Sequence, residues 1–186
     1  MLGKVKTRLA KGIGNEKALE LYKILLKNTL NVASKGHWDV QIHLSEKAEG
    51  PWLDHLDVFI QKGNTLGDRM SNSLKIGFET YEKVLLVGAD IPLLSEAIIV
   101  DGFQKLDKCD LVWGPAEDGG YYLVGMSRWT PQVFQLKNWS HPLVLSDSLT
   151  IAQQHRLSSD FTTNLNDLDT LEDLKKFPKY YNFLPR

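Results

Sequence analysis

The residues of this chain best suited to chemistry fall in a few short runs. The first is Gly3-Lys4-Val5-Lys6-Thr7-Arg8-Leu9-Ala10-Lys11, which holds four cations and no acid. Clustered positive charge behind a glycine, whose backbone N–H groups can approach a ligand closely, suits a phosphate tail. The Gly-Lys-Ser/Thr order of a Walker loop is missing, and a solvated basic terminus fits the same residues. The second is Gly88-Ala89-Asp90-Ile91-Pro92, directly behind the β-prone run Lys83–Val87. A carboxylate just past a buried strand can hold Mg²⁺ or Mn²⁺, hard ions that prefer oxygen ligands. An Asp that caps the following turn is the alternative.

Two further acidic runs follow. In Asn166-Asp167-Leu168-Asp169, two acids two apart point the same way if the segment is extended, and they can complete a metal site with Asp90. Equally, Asp169 and Thr170 can simply open a helix. In Glu117-Asp118-Gly119-Gly120-Tyr121-Tyr122, the paired glycines permit close backbone approach to a substrate, so Asp118, Gly119 and Gly120 are candidate binding residues. Asp-Gly is also a strong hairpin signal, so a plain turn is the competing reading. Finally, Gln61, Gly63 and Arg69 of Gln61-Lys62-Gly63-Asn64-Thr65-Leu66-Gly67-Asp68-Arg69 lie at a strand-to-helix junction, where they can read a base or a sugar or merely connect. The five histidines, at 37, 43, 55, 141 and 155, show no metal-like spacing, and there is no Gly-x-Ser-x-Gly elbow.

These runs need a frame to converge, and the hydrophobic pattern supplies one. Ala18, Tyr22, Leu25, Thr29 and Val32 keep helical spacing behind Asn15 as N-cap, and Met70, Leu74, Phe78 and Tyr81 do the same. Val40, Ile42 and Leu44 alternate as a strand does, and Val58–Ile60 forms another. Lys83–Gly88 is a continuous β-prone run and predicts a central parallel strand covered on both faces. Ser95 predicts a helix start, with Leu94 and Ile99 at hydrophobic-staple spacing. Strands follow at Leu111–Trp113, Tyr121–Val124 and Phe161–Asn164, a helix runs from Ser140 to about His155, and Thr170–Asp173 resembles a capping box. Alternating strands and helices predict a layered α/β domain over residues 1–186 with a mainly parallel sheet. Such sheets bind ligands at the carboxyl ends of their strands, where three of the carboxylate-bearing loops lie.

Composition narrows the function. Lys plus Arg number 22 and Asp plus Glu 23, for a net charge of −1, which argues against nucleic acid as a partner. Cys109 is the one cysteine, so no internal disulfide is possible and a reducing, cytoplasmic setting is expected. The N-terminus has no signal-peptide h-region, and no apolar run is long enough for a bilayer, so no membrane role is expected.

Taken in order, GKVKTRLA, QKGNTLGDRM, LVGADIPLL, GPAEDGGYYLVGM and NDLDTLEDL resemble a bacterial family of provisionally assigned glycosyltransferases, the selenodomain-associated transferases. That family is similar to molybdenum-cofactor guanylyltransferase and phospholactate guanylyltransferase. The resemblance runs from Gly3 to about Leu174 and implies the three-layer nucleotide-diphospho-sugar transferase, or GT-A, fold. It implies a nucleoside triphosphate or nucleotide-sugar as substrate, a small-molecule acceptor, Mg²⁺ (or Mn²⁺) on Asp90 with Asp167 or Asp169, and Lys4, Lys6 and Arg8 on the phosphates. Gly-Ala-Asp at positions 88–90 departs from the Asp-x-Asp usual in glycosyltransferases and looks like the nucleotidyltransferases. Trp139-Ser140-His141-Pro142 departs from the Trp-Ser-Thr expected there. The resemblance also implies a strand ahead of the basic run, where only Met1 and Leu2 stand. An open slot in the sheet is therefore expected, filled by further residues, by a neighbouring chain or by the tail Tyr180-Tyr181-Asn182-Phe183-Leu184.

Overall fold

From Thr7 onward the basic N-terminal run is helical, an element that the hydrophobic spacing did not predict. In the computed structural model, which describes Gly3, residues 5–47, Leu53 and residues 56–136, 138–139 and 141–185, α1 spans Thr7–Ile13. Leu9 and Ile13 bury one side of it, while Lys11 sits in its last turn, where a cation complements the helix dipole. Gly14 separates it from α2 (Asn15–Ala33), so Asn15 is the first helical residue and Gly14 holds the cap position.

The strands are β1 (Gln41–Leu44), β2 (Asp57–Ile60), β3 (Val84–Val87), β4 (Leu111–Pro115), β5 (Tyr121–Met126) and β6 (Ser159–Phe161). Between them run α3 (Leu66–Phe78), α4 (Glu96–Lys105), α5 (Val144–Gln154) and α6 (Leu171–Leu174). Thr65 and Asp68 close a reciprocal capping box at the start of α3, and Thr170 and Asp173 close another at α6, as the latter sequence predicts. Leu94 and Ile99 are both buried around the start of α4, although the Ser95 hydroxyl makes no capping bond. Helix α5 begins at Val144 rather than at Ser140, which lies outside the described residues.

The sheet is mixed and split, not mainly parallel. β1 and β2 pair in parallel as a two-stranded sheet, and the other four strands run in the order β3-β5-β4-β6. β5 is antiparallel to both β3 and β4, and only β6 is parallel to β4. Among the described residues β3 is consequently an edge strand, with all four of its residues only half-buried, and not a central one. Its apolar run reports affinity for a covered strand, and strand order is a property that run does not encode. The tail does not supply a strand: Pro178–Phe183 is a 3-10 helix whose Tyr180 and Phe183 pack with Leu9, Leu21 and Leu168. The expected strand at Phe161–Asn164 lies earlier, at β6.

Alternation along β3, β4 and β5 sorts their side chains onto two faces. Leu111, Trp113, Val124 and Met126 pack with Leu74 of α3 and Ala152 of α5. Val112 and Leu123 face Ile99 of α4 and Leu106 just past its end, and Tyr122 joins the same cluster beside the register shift at Gly114/Pro115. Helices thus cover both faces of the four-stranded sheet, giving three layers. Fully buried side chains such as Trp113, Leu111 and Leu123 each contribute about 1.5–3 kcal/mol through burial. No helix among the described residues is long and apolar enough to cross a membrane.

Candidate active site

Three loops meet at the carboxyl end of β3 and beside the end of β4. Past β3, Gly88 donates its amide to Tyr122 at 2.8 Å, and the chain then turns through Asp90 to buried Ile91. Past β6, the chain runs alongside Pro115–Glu117: the Leu165 amide donates to Pro115 and the Glu117 amide donates to Leu165, each at 3.1 Å. That pairing aims Asn166–Asp169 at the Asp90 turn, and Leu168 donates its amide to the Asp90 carbonyl at 3.2 Å. The Leu168 side chain is fully buried, so the acids on either side of it are held against one fixed anchor.

The N-terminal cations close onto this cluster. The Lys6 ammonium lies 2.7 Å from Asp90 Oδ2 and 3.6 Å from Asp169 Oδ1, and its side chain is only 4% exposed. Arg8 Nη1 donates to Asp169 Oδ2 at 2.9 Å from a side chain 67% exposed. Lys6 caps α1 with φ 48° and ψ 43°, a left-handed conformation that a residue with a Cβ adopts at a cost of about 1–3 kcal/mol. Lys4 lies outside the described residues, and Gly3 turns at φ 73°.

Negative charge crowds the site. Burial pushes Asp167 up to about 6, and the neighbouring carboxylates of Asp90 and Asp118 push it the same way, against the pull of Lys6. Burial, then Asp90, also raises the Tyr22 hydroxyl, which stands on α2 in the field of the same groups. Tyr22 reads in the sequence as one member of a helical apolar stripe. Its only signal is a phenol among aliphatic neighbours.

The donor chemistry fits a hard divalent cation. Asp90 and Asp169 already share one cation, the Lys6 ammonium, and Asp167 lies close enough to feel both. Among the described residues no three acidic, histidine or cysteine side chains enclose a metal position as they stand.

The other candidates divide. Asp118 Oδ1 accepts the Gly120 amide at 2.9 Å inside the turn that joins β4 to β5, so this run closes an antiparallel hairpin, the plainer of its two readings. Gly119, at φ 87°, is required by packing: a Cβ there would lie 1.9 Å from the Pro142 carbonyl oxygen. At the β2–α3 junction, the Gln61 amide donates to Leu44, and Arg69 Nε donates to the Gly63 carbonyl at 3.2 Å. A Cβ on Gly63 would strike Asp68, so that glycine fits the loop against the start of α3. No hydrogen bond or ion pair among the described residues joins Gln61, Gly63 or Arg69 to the Lys6–Asp90 cluster.

Comparison places this layered α/β fold with those of nucleotide-diphospho-sugar transferase-like proteins. The crystal structure of a protein from Desulfovibrio desulfuricans G20, provisionally assigned as a nucleotide-diphospho-sugar transferase, superposes with a TM-score of 0.87 at 33% identity. The match covers 94% of this chain and 80% of that one. The chain belongs to the DUF2064 family, described as uncharacterized proteins conserved in bacteria, whose family model matches residues 28–141. More distant structures share the fold alone. The bifunctional IspDF of Campylobacter jejuni matches at 14% identity and TM-score 0.55, over 85% of this chain and 46% of its own. A Mycobacterium sp. strain JC1 homologue of Mycobacterium tuberculosis rv0371c matches at 18% identity and TM-score 0.55, over 82% of this chain and 80% of its own. No curated protein matches the sequence.

Proposed function

We propose that this chain is a metal-dependent nucleotidyltransferase that joins a nucleoside triphosphate to a small phosphorylated or hydroxyl acceptor with loss of pyrophosphate. The observation that carries the reading is the meeting of Lys6 and Arg8 with Asp90, Asp167 and Asp169 at the strand ends. Cations for a phosphate tail and carboxylates for its metal stand in one place, and no nucleophilic side chain is needed. Transfer of this kind depends on positioning and charge neutralisation. Lys6 and Arg8 would bind the β- and γ-phosphates. Asp90, with Asp167 and Asp169, would hold Mg²⁺ (or Mn²⁺), which neutralises phosphate charge when bound. Gly-Ala-Asp at positions 88–90, with one acid where glycosyltransferases of this fold carry two, supports the nucleotidyl reading.

The name of the Desulfovibrio relative favours a second reading, glycosyl transfer from a nucleotide-sugar. One assay separates the two. Pyrophosphate released from a triphosphate and acceptor, lost in Asp90→Asn, supports nucleotidyl transfer; nucleoside diphosphate released from a nucleotide-sugar overturns it. Nucleotide binding that raises Tm without either product would make the chain a binding module.

A further inference from the structure

We propose that the Lys6 ammonium is a built-in counter-ion of the acidic site: it occupies the place between Asp90 and Asp169 that a divalent cation takes on binding, and metal entry drives it off toward the phosphate tail. This rests on the reading above that Asp90 and Asp169 are metal ligands. Three observations carry it. Lys6 touches both carboxylates, at 2.7 and 3.6 Å, so it lies between them and not beside one. Its side chain is 4% exposed while its partners are 34% and 27% exposed, so the cation is the buried member and the carboxylates stay open on the solvent side. Its backbone is held at φ 48°, a conformation that lysine adopts only where the surroundings impose it.

A divalent cation that takes the same Asp90 and Asp169 oxygens competes with the Lys6 ammonium for them, so metal binding at this place breaks the Lys6 pairs. A buried ammonium left without a partner is strongly disfavoured, so its release needs a new anion. A phosphate tail supplies one. Metal and tail therefore bind with positive coupling through Lys6, and the coupling is reciprocal. Arg8, exposed and bonded to Oδ2 of Asp169, the oxygen that Lys6 does not approach, can turn to the tail without leaving a buried site.

The test is a titration of the whole chain with Mn²⁺ alone, read by the electron paramagnetic resonance of free Mn²⁺. Lys6→Met removes the ammonium, and Lys6→Gly removes it while also relieving the positive φ. Both should bind Mn²⁺ roughly tenfold or more tightly than wild type, since each competing charge-assisted contact is of that order. Unchanged or weaker Mn²⁺ binding in both variants, or no Mn²⁺ binding in any of the three proteins, overturns the proposal. Wild type gives a second readout that does not depend on the variants folding. The ¹⁵N signal of the Lys6 ammonium should shift or broaden away on addition of Mg²⁺ with inorganic triphosphate, and a signal that persists unchanged also overturns it. Loss of turnover with every triphosphate and nucleotide-sugar would sink the proposed function while leaving the Mn²⁺ result to stand by itself.

Discussion

The backbone amide of Leu168 bonds to the carbonyl oxygen of Asp90 at 3.2 Å, fastening the loop past β6 to the loop past β3. The Leu168 side chain, fully buried with Leu9, Leu21 and Phe183, supplies the grip. Leu168→Ala should therefore do two things. It should cost about 2–5 kcal/mol through the lost contacts and the residual cavity. It should also loosen the flanking Asp167 and Asp169. Urea denaturation reads the first effect and Mn²⁺ affinity the second, and a destabilised variant with wild-type Mn²⁺ affinity would show that Leu168 does not position the acids.

Asp167 makes stability fall as pH rises. Its carboxyl is pushed up to about 6 in the folded chain, against about 3.9 in an unfolded one. Between those values the folded state binds more protons than the unfolded state, so each rise in pH across the window lowers stability, and the full cost remains above it. Asp167→Asn should raise Tm at pH 7.5, by an amount that shrinks as pH drops through about 6 and vanishes only below about pH 3, under both values. A gain independent of pH would point to packing and not to charge.

Gly119→Ala should destabilise the chain by about 2–5 kcal/mol, combining the positive φ with overpacking against Pro142. The damage should centre on the start of α5, because the Leu145 amide donates to the Gly119 carbonyl at 3.1 Å. Hydrogen exchange over the first turn of α5 should quicken more than exchange in α4. Uniform quickening would mean that the turn and helix are not locally coupled.

The split sheet makes a claim about individual amides of β3. Gly88 donates to Tyr122 on β5, so by antiparallel alternation Leu86 also points its amide at β5, while Leu85 and Val87 point theirs at the side where no strand pairs with β3 among the described residues. Leu85 and Val87 should exchange on the order of a hundredfold or more faster than Leu86. Equal protection of all three would show a partner strand on that edge in solution.

Much of the element order was readable before any coordinates. Hydrophobic spacing located β1 to β5 and α2 to α4, and the Thr170–Asp173 box opened α6, because periodicity and capping are local properties. So was the gathering of acids past the strand ends, since Asp90 and the Asp167–Asp169 run each directly follow a strand-like stretch. Partner choice was not readable. The apolar run at β3 suits a central parallel strand, yet its described sheet partner is the antiparallel β5. The aromatic tail suits a strand, yet it packs as a 3-10 helix on α1 and α2. Gly119 reads equally as a ligand contact and as a turn, and its close packing against the Pro142 carbonyl is visible only in the structure. Lys6 shows the limit most plainly. Its sequence context marks it as a cation for phosphate, while its contacts with Asp90 and Asp169 depend on where α1 docks against two distant loops. Residue type and spacing determined which groups could do chemistry here. Which charge neutralises which was decided by long-range docking, since the energy of an ion pair depends on distance and burial, and neither is written in local sequence.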